Sequence, residues 1–122
     1  LRTEWYENGN IKSITSHKET RNRIVKVQYV EYYENGWKEN EGNEWNENRK
    51  DWNEWTEWYE NGQKSSERTW DEKEDGLWAS WYESGQKSSE KTYKDGKEIS
   101  SKCWDKDGNE CECGQYWWEG CK

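Results

Sequence analysis

The sequence predicts an all-β fold, an elongated antiparallel β-meander of about five hairpin repeats of about 23 residues each, with a disulfide-stapled C-terminal cap. Three observations carry this reading. First, one motif recurs: Trp5-Tyr6-Glu7-Asn8-Gly9 returns as Tyr32-Tyr33-Glu34-Asn35-Gly36, Trp58-Tyr59-Glu60-Asn61-Gly62 and Trp81-Tyr82-Glu83-Ser84-Gly85, then decays to Trp104-Asp105-Lys106-Asp107-Gly108. The glycines are 27, 26, 23 and 23 residues apart. Second, Asn-Gly and Asp-Gly supply the positive φ of hairpin turns, and the runs between them are strand-sized. Third, the 122 residues hold only nine Leu, Ile and Val against 12 Trp and 8 Tyr, so the core must be built from rings.

The elements follow in order. After the first turn at Gly9, the stretch from Ile11 to Val30 holds most of the aliphatic residues, and Ile24-Val25-Lys26-Val27-Gln28-Tyr29 alternates as a strand with one packed face does. Glu39 to Asn53 is dense in Asn and Glu and is expected to be a mobile or solvated turn region. Gly76 to Tyr82 reads as a short aromatic strand, Glu83-Ser84-Gly85 as a turn, Gln86 to Tyr93 as a second strand, and Lys94-Asp95-Gly96 as the closing turn. One repeat is therefore two strands. The turn glycines are Gly9, Gly36, Gly62, Gly85, Gly96 and Gly108. A helical alternative fails, because from Gly62 to Gly108 a glycine falls every 9 to 14 residues and the rings do not recur at helical spacing.

With strands about 4.8 Å apart, each repeat advances the sheet by about 10 Å and the chain extends about 50 Å. Equivalent residues stack in rows, Trp5, Tyr32, Trp58, Trp81 and Trp104 in one, Trp70, Tyr93 and Tyr116 in another. These rows are the expected core, with each repeat burying its rings only against its neighbours.

The string Trp58-Tyr59-Glu60-Asn61-Gly62-Gln63-Lys64, followed by Thr69, the turn Glu74-Asp75-Gly76 and Leu77-Trp78, resembles the MORN-repeat variant family of bacterial proteins. The likeness is closest over residues 56–110. It implies a sheet of β-hairpin repeats acting as an interaction scaffold, and members are often labelled antitoxins. Tyr32-Tyr33-Glu34-Asn35-Gly36-Trp37 is also similar to choline-binding and glucan-binding wall repeats.

Residues 1–102 form the repeat array, and residues 103–122 a cap continuous with it. Cys103, Cys111, Cys113 and Cys121 are the only cysteines, and an even number packed at one end argues for disulfides and an oxidising compartment. A three-residue turn at Lys106-Asp107-Gly108 pairs Cys103 with Cys111 and Cys113 with Cys121, whereas a turn centred one residue later pairs Cys103 with Cys113. Each staple closes a loop of about ten residues and contributes about 3 kcal/mol.

Several functions are disfavoured. With 19 Lys and Arg against 27 Asp and Glu, the net charge of −8 opposes binding to nucleic acid or an anionic membrane surface. The spacing Cys-x₇-Cys-x-Cys-x₇-Cys lacks the paired knuckles of structural zinc sites, and Asp105 to Glu110 departs from the EF-hand pattern, so no metal or cofactor is expected. No catalytic residue is assigned: His17 stands alone in a polar stretch and reads as a surface residue, and the Ser65-Ser66 and Ser88-Ser89 pairs recur with the repeat.

The chain begins at Leu1 without Met and without a signal-like apolar stretch, and reads as a mature secreted form, a fragment or a partial sequence. The function expected is that of a non-enzymatic, secreted or cell-surface scaffold whose partner is a protein, including a second copy added head to tail at an exposed first strand. Glycan or cell-wall binding through the aromatic rows is one alternative, and inhibition of a partner protein in the manner of an antitoxin is another.

Overall fold

The computed structural model describes residues 1–21, 23–71, 73–114 and 121–122. It is a single ten-stranded antiparallel sheet in which sequence order equals spatial order. The strands are β1 Arg2–Trp5, β2 Ile11–Thr20, β3 Arg23–Tyr32, β4 Lys38–Asn46, β5 Asp51–Trp58, β6 Lys64–Thr69, β7 Gly76–Trp81, β8 Lys87–Lys94, β9 Lys97–Trp104 and β10 Glu110–Cys111. The two-strand repeat holds throughout, and the six predicted turn glycines all have positive φ, between 79° and 94°.

Each motif hairpin carries a bulge at the same place. The register slips between Glu4 and Trp5, Glu31 and Tyr32, Glu57 and Trp58, and Ser80 and Trp81. Two residues of the returning strand then stand against one. Ser65-Ser66 faces Glu57 and Ser88-Ser89 faces Ser80, which accounts for the paired serines. The Ser80 hydroxyl contacts those of Ser88 and Ser89, and Ser66 Oγ donates to Glu57 Oε2 at 3.2 Å.

Through the cross-strand register one row runs from Glu4 through Ser13, Glu31, Asn40, Glu57, Ser66, Ser80 and Ser89 to Cys103. Ser13, Ser66, Ser80, Ser88, Ser89 and Cys103 on this face are buried. We call this the strut face. Trp58 and Trp81 follow the bulges and point the other way, paired with Lys64 and Lys87, on the stripe face.

Two expectations are corrected, and one of the two open cysteine pairings is selected. Glu39 to Asn53 is not a solvated turn: it lies largely within β4 and β5, joined by a short turn at residues 47–50. Pairing of β4 with both neighbours and the packing of Trp52 over Gly42 outweigh the polar composition. The first aromatic row is not the core, since Trp5 is 62% exposed and the buried positions are mostly small. Equivalent rings sit two strands, or about 10 Å, apart, beyond the 4.5–7 Å of a ring pair, and lysines fill the interval. The disulfides are Cys103–Cys113 and Cys111–Cys121, with Cα separations of 5.2 and 5.6 Å. Cys103 does stand opposite Cys111, but β10 ends there and the chain leaves the ladder, bringing Cys113 over Cys103. Tyr116 lies outside the described residues.

Candidate interaction surface

Five turns of one construction line a single rim of the sheet. In each, the first residue's N–H bonds the carbonyl four residues on, and the glycine N–H bonds back to the first carbonyl; for the third turn these are Tyr59 to Gln63 at 2.8 Å and Gly62 to Tyr59 at 3.0 Å. Asn8, Asn35 and Asn61 fix the turns by accepting a backbone N–H two residues later, each at 2.9 Å. The last turn uses Asp105 instead, whose carboxylate accepts the N–H groups of Asp107 and Asn109. Those backbone bonds, Asn109 first, hold the Asp105 carboxyl below its ordinary pKa.

The tyrosine of each motif ties its repeat to the next. Tyr6 Oη donates to the Tyr32 carbonyl at 2.6 Å, Tyr33 to Trp58 at 2.6 Å, Tyr59 to Trp81 at 2.7 Å and Tyr82 to Trp104 at 2.8 Å. Each bond bypasses the intervening strand. The rings lie beside the small bulge residues, Tyr59 and Tyr82 lining a depression with Ser65, Ser66, Ser80 and Ser88. Desolvation, with Glu39 nearby in one case and Glu83 in the other, raises the phenol pKa of Tyr33 and Tyr59. A second tie runs along the rim, where the side-chain amides of Asn10, Asn35 and Asn61 donate to the carbonyls of Glu34, Glu60 and Glu83.

On the stripe face, rings and cations alternate. Lys38 Nζ lies 5.7 Å from the Trp58 ring centre, and Lys64 and Lys87 flank Trp81 at 5.7 Å each. Each lysine also pairs with a glutamate three residues on: Glu41, Glu67 and Glu90, at 2.7, 2.8 and 2.7 Å. The stripe is thus electrically balanced. Near the rim two shallow grooves adjoin at Tyr32 and Gly36, one bordered by Asn10, Ile11 and Asn35, the other by Trp37, Lys38, Trp58 and Gly62.

Away from that rim the rings do make a small core. Trp70, Trp78 and Tyr93 meet at 5.0 to 6.1 Å, joining two members of the predicted second row to a third ring from β7. Tyr29 stacks on Trp55 at 6.3 Å across Gly42, and Trp45 meets Trp52 edge-on at 5.2 Å. Arg68 stands between Trp55 and Trp78 in the register and lies 5.6 Å from the Trp78 ring. The signal for this group was present in the 23-residue offset between Trp55 and Trp78. His17 is exposed. Among the described residues no group of three or more His, Cys, Asp or Glu is arranged to hold a metal ion, and no helix is long and apolar enough to cross a membrane.

A family model described as the MORN repeat variant matches residues 1–19, 53–72 and 74–95, together half of the chain. The chain belongs to the MORN repeat variant family. Comparison with curated proteins and with solved structures returned no match. MORN repeats are generally protein-interaction motifs and are not an enzyme family. The matched stretches contain three complete motifs, those ending at Gly9, Gly62 and Gly85, while the unmatched 20–52 contains all of β3 and β4. The disulfide-bonded cysteines are compatible with an extracellular location.

Proposed function

We propose that this MORN-variant protein is a non-enzymatic extracellular scaffold that holds a partner protein along its rim of turns. The observation that carries the reading is the repetition of one rigid turn, with exposed Glu7, Glu34, Glu60 and Glu83 at the same position, at intervals of two strands or about 10 Å. Tyrosine and asparagine ties fix those intervals, so the acidic side chains are presented in a set geometry before binding, which lowers the entropy cost of association. A partner with correspondingly spaced cations suits this rim.

The far end does not favour head-to-tail growth. Where the motif has tyrosine the last turn has Asp105, turned back on its own loop, and the two disulfides follow. An added copy would lack the strut that joins every other repeat. The test uses the full chain and the Glu34→Lys, Glu60→Lys double variant as baits for the proteins of the native extracellular milieu. The native chain is expected to retain a partner that the variant loses. Equal retention by both contradicts a rim-directed scaffold.

A further inference from the structure

We propose that the paired grooves on the stripe face bind a neutral, extended β-1,4-linked glycan. The site shares the turn residues Gly9, Asn35, Gly36 and Gly62 with the rim but none of its four glutamates, and either assignment can fail without the other. The two grooves, about 460 and 590 Å³, join at Tyr32 and Gly36 and so form one trough crossing successive repeats. Its floor is low because turn glycines line it: a Cβ on Gly9 or Gly36 would meet nothing within 4 Å. Its apolar lining is Trp37, 52% exposed, and Ile11, 39% exposed, with Tyr32 and Trp58 half-buried, beside the polar Asn10, Asn35 and Lys38.

Trp37 is held at the mouth rather than free to collapse. Its ring lies against Gly62, 3.0 Å from where a Cβ would stand, and its backbone N–H is fixed by Asn35 Oδ1 at 2.9 Å. A planar side chain held open to solvent beside amides is suited to cover a pyranose face while polar groups take the hydroxyls. Tyr32 and Trp58 are equivalent in successive repeats, two strands or about 10 Å apart. That interval is close to the length of a disaccharide in an extended β-1,4-linked chain, in which alternate sugars present the same orientation.

Charge selects among glycans. Lys38 in the trough is neutralised by Glu41 at 2.7 Å, and the chain as a whole carries a net charge of −8, so the field disfavours sulfated or uronic polymers. A peptide strand is a poorer occupant, because the trough crosses the strands and offers no free sheet edge for backbone pairing.

The test is calorimetric titration of the full disulfide-bonded chain with cellobiose, cellohexaose and dextran sulfate. Cellohexaose is expected to bind at least tenfold more tightly than cellobiose, with no binding of dextran sulfate. Trp37→Ala should weaken cellohexaose at least tenfold, Trp37→Tyr should keep most of the affinity, and Ile99→Ala, removing an exposed residue elsewhere, should leave it unchanged. No binding of cellohexaose overturns the assignment. So does equal affinity for cellobiose and cellohexaose, or a Trp37→Ala chain that binds as the native one does.

Discussion

Tyr59 and its counterparts supply what backbone pairing cannot, a bond between one repeat and the far strand of the next. Removing only the hydroxyl with Tyr59→Phe leaves the Trp81 carbonyl without that donor while keeping the ring, and is expected to cost about 1 kcal/mol, read by thermal or denaturant unfolding. Burial raises this phenol's pKa, so the fold favours its protonated form. The stability tied to it is complete below the ordinary tyrosine range near pH ~10 and is lost as pH rises through the folded-state value; the Tyr59→Phe chain should show a shallower alkaline decline than the native one. Gly62 is constrained twice, by a φ of 88° and by the Trp37 ring 3.0 Å from any Cβ, so Gly62→Val should lower the melting temperature by more than Lys64→Ala. Equal melting temperatures would contradict the turn geometry. The turn chemistry was legible in the Asn-Gly strings because it depends on residue type alone. The struts were not, because a recurring tyrosine has the same sequence signature whether its ring packs or its hydroxyl bridges, and the acceptor is a backbone carbonyl 22 to 26 residues away. The one trace was Asp105 at the tyrosine position where the array ends.

Among the elements, the β4–β5 hairpin shows where composition misleads. Residues 39–53 are rich in Asn and Glu, yet β4 has a paired strand on each side, and Trp45, Trp52 and Trp55 provide its packing. Gly42 is the position that permits this: a Cβ there would fall 2.7 Å from the Trp52 ring. Gly42→Val is therefore expected to destabilise by about 1–3 kcal/mol or more, with loss of the Trp52 ring's protection from fluorescence quenchers. An unchanged denaturation midpoint would mean that Trp52 does not pack there. The β7–β8 hairpin, by contrast, was readable almost residue by residue, since its strands alternate and its turns carry glycine. The row geometry failed at the same scale. Counting repeats aligned Trp58 with Trp81, but counting strands separates them by a whole lysine-bearing strand.

The whole molecule is a quasi-one-dimensional sheet whose stability sums over neighbouring repeats. At β9 and β10 each disulfide, spanning ten residues, adds about 3 kcal/mol in the chain-entropy account. Reduction should loosen β9 and β10 first and leave β1 to β6 folded, which proteolysis at the C-terminal end would register; cleavage starting within β1 to β6 would contradict the nearest-neighbour picture. That the chain is a β-hairpin array was legible from recurrence and glycine spacing. Which cysteines join was not, because the direct and diagonal pairings differ only in where the chain leaves β10.

The most direct test of a sheet locked repeat to repeat by tyrosine struts is residue-resolved amide hydrogen exchange on the native chain and on Tyr59→Phe. Protection is expected to fall at the turn 59–63 and along β6 and β7, which the lost bond spans, and to stay unchanged in β1 to β3. Undiminished protection in β6 and β7, or a uniform fall across all strands, would contradict it.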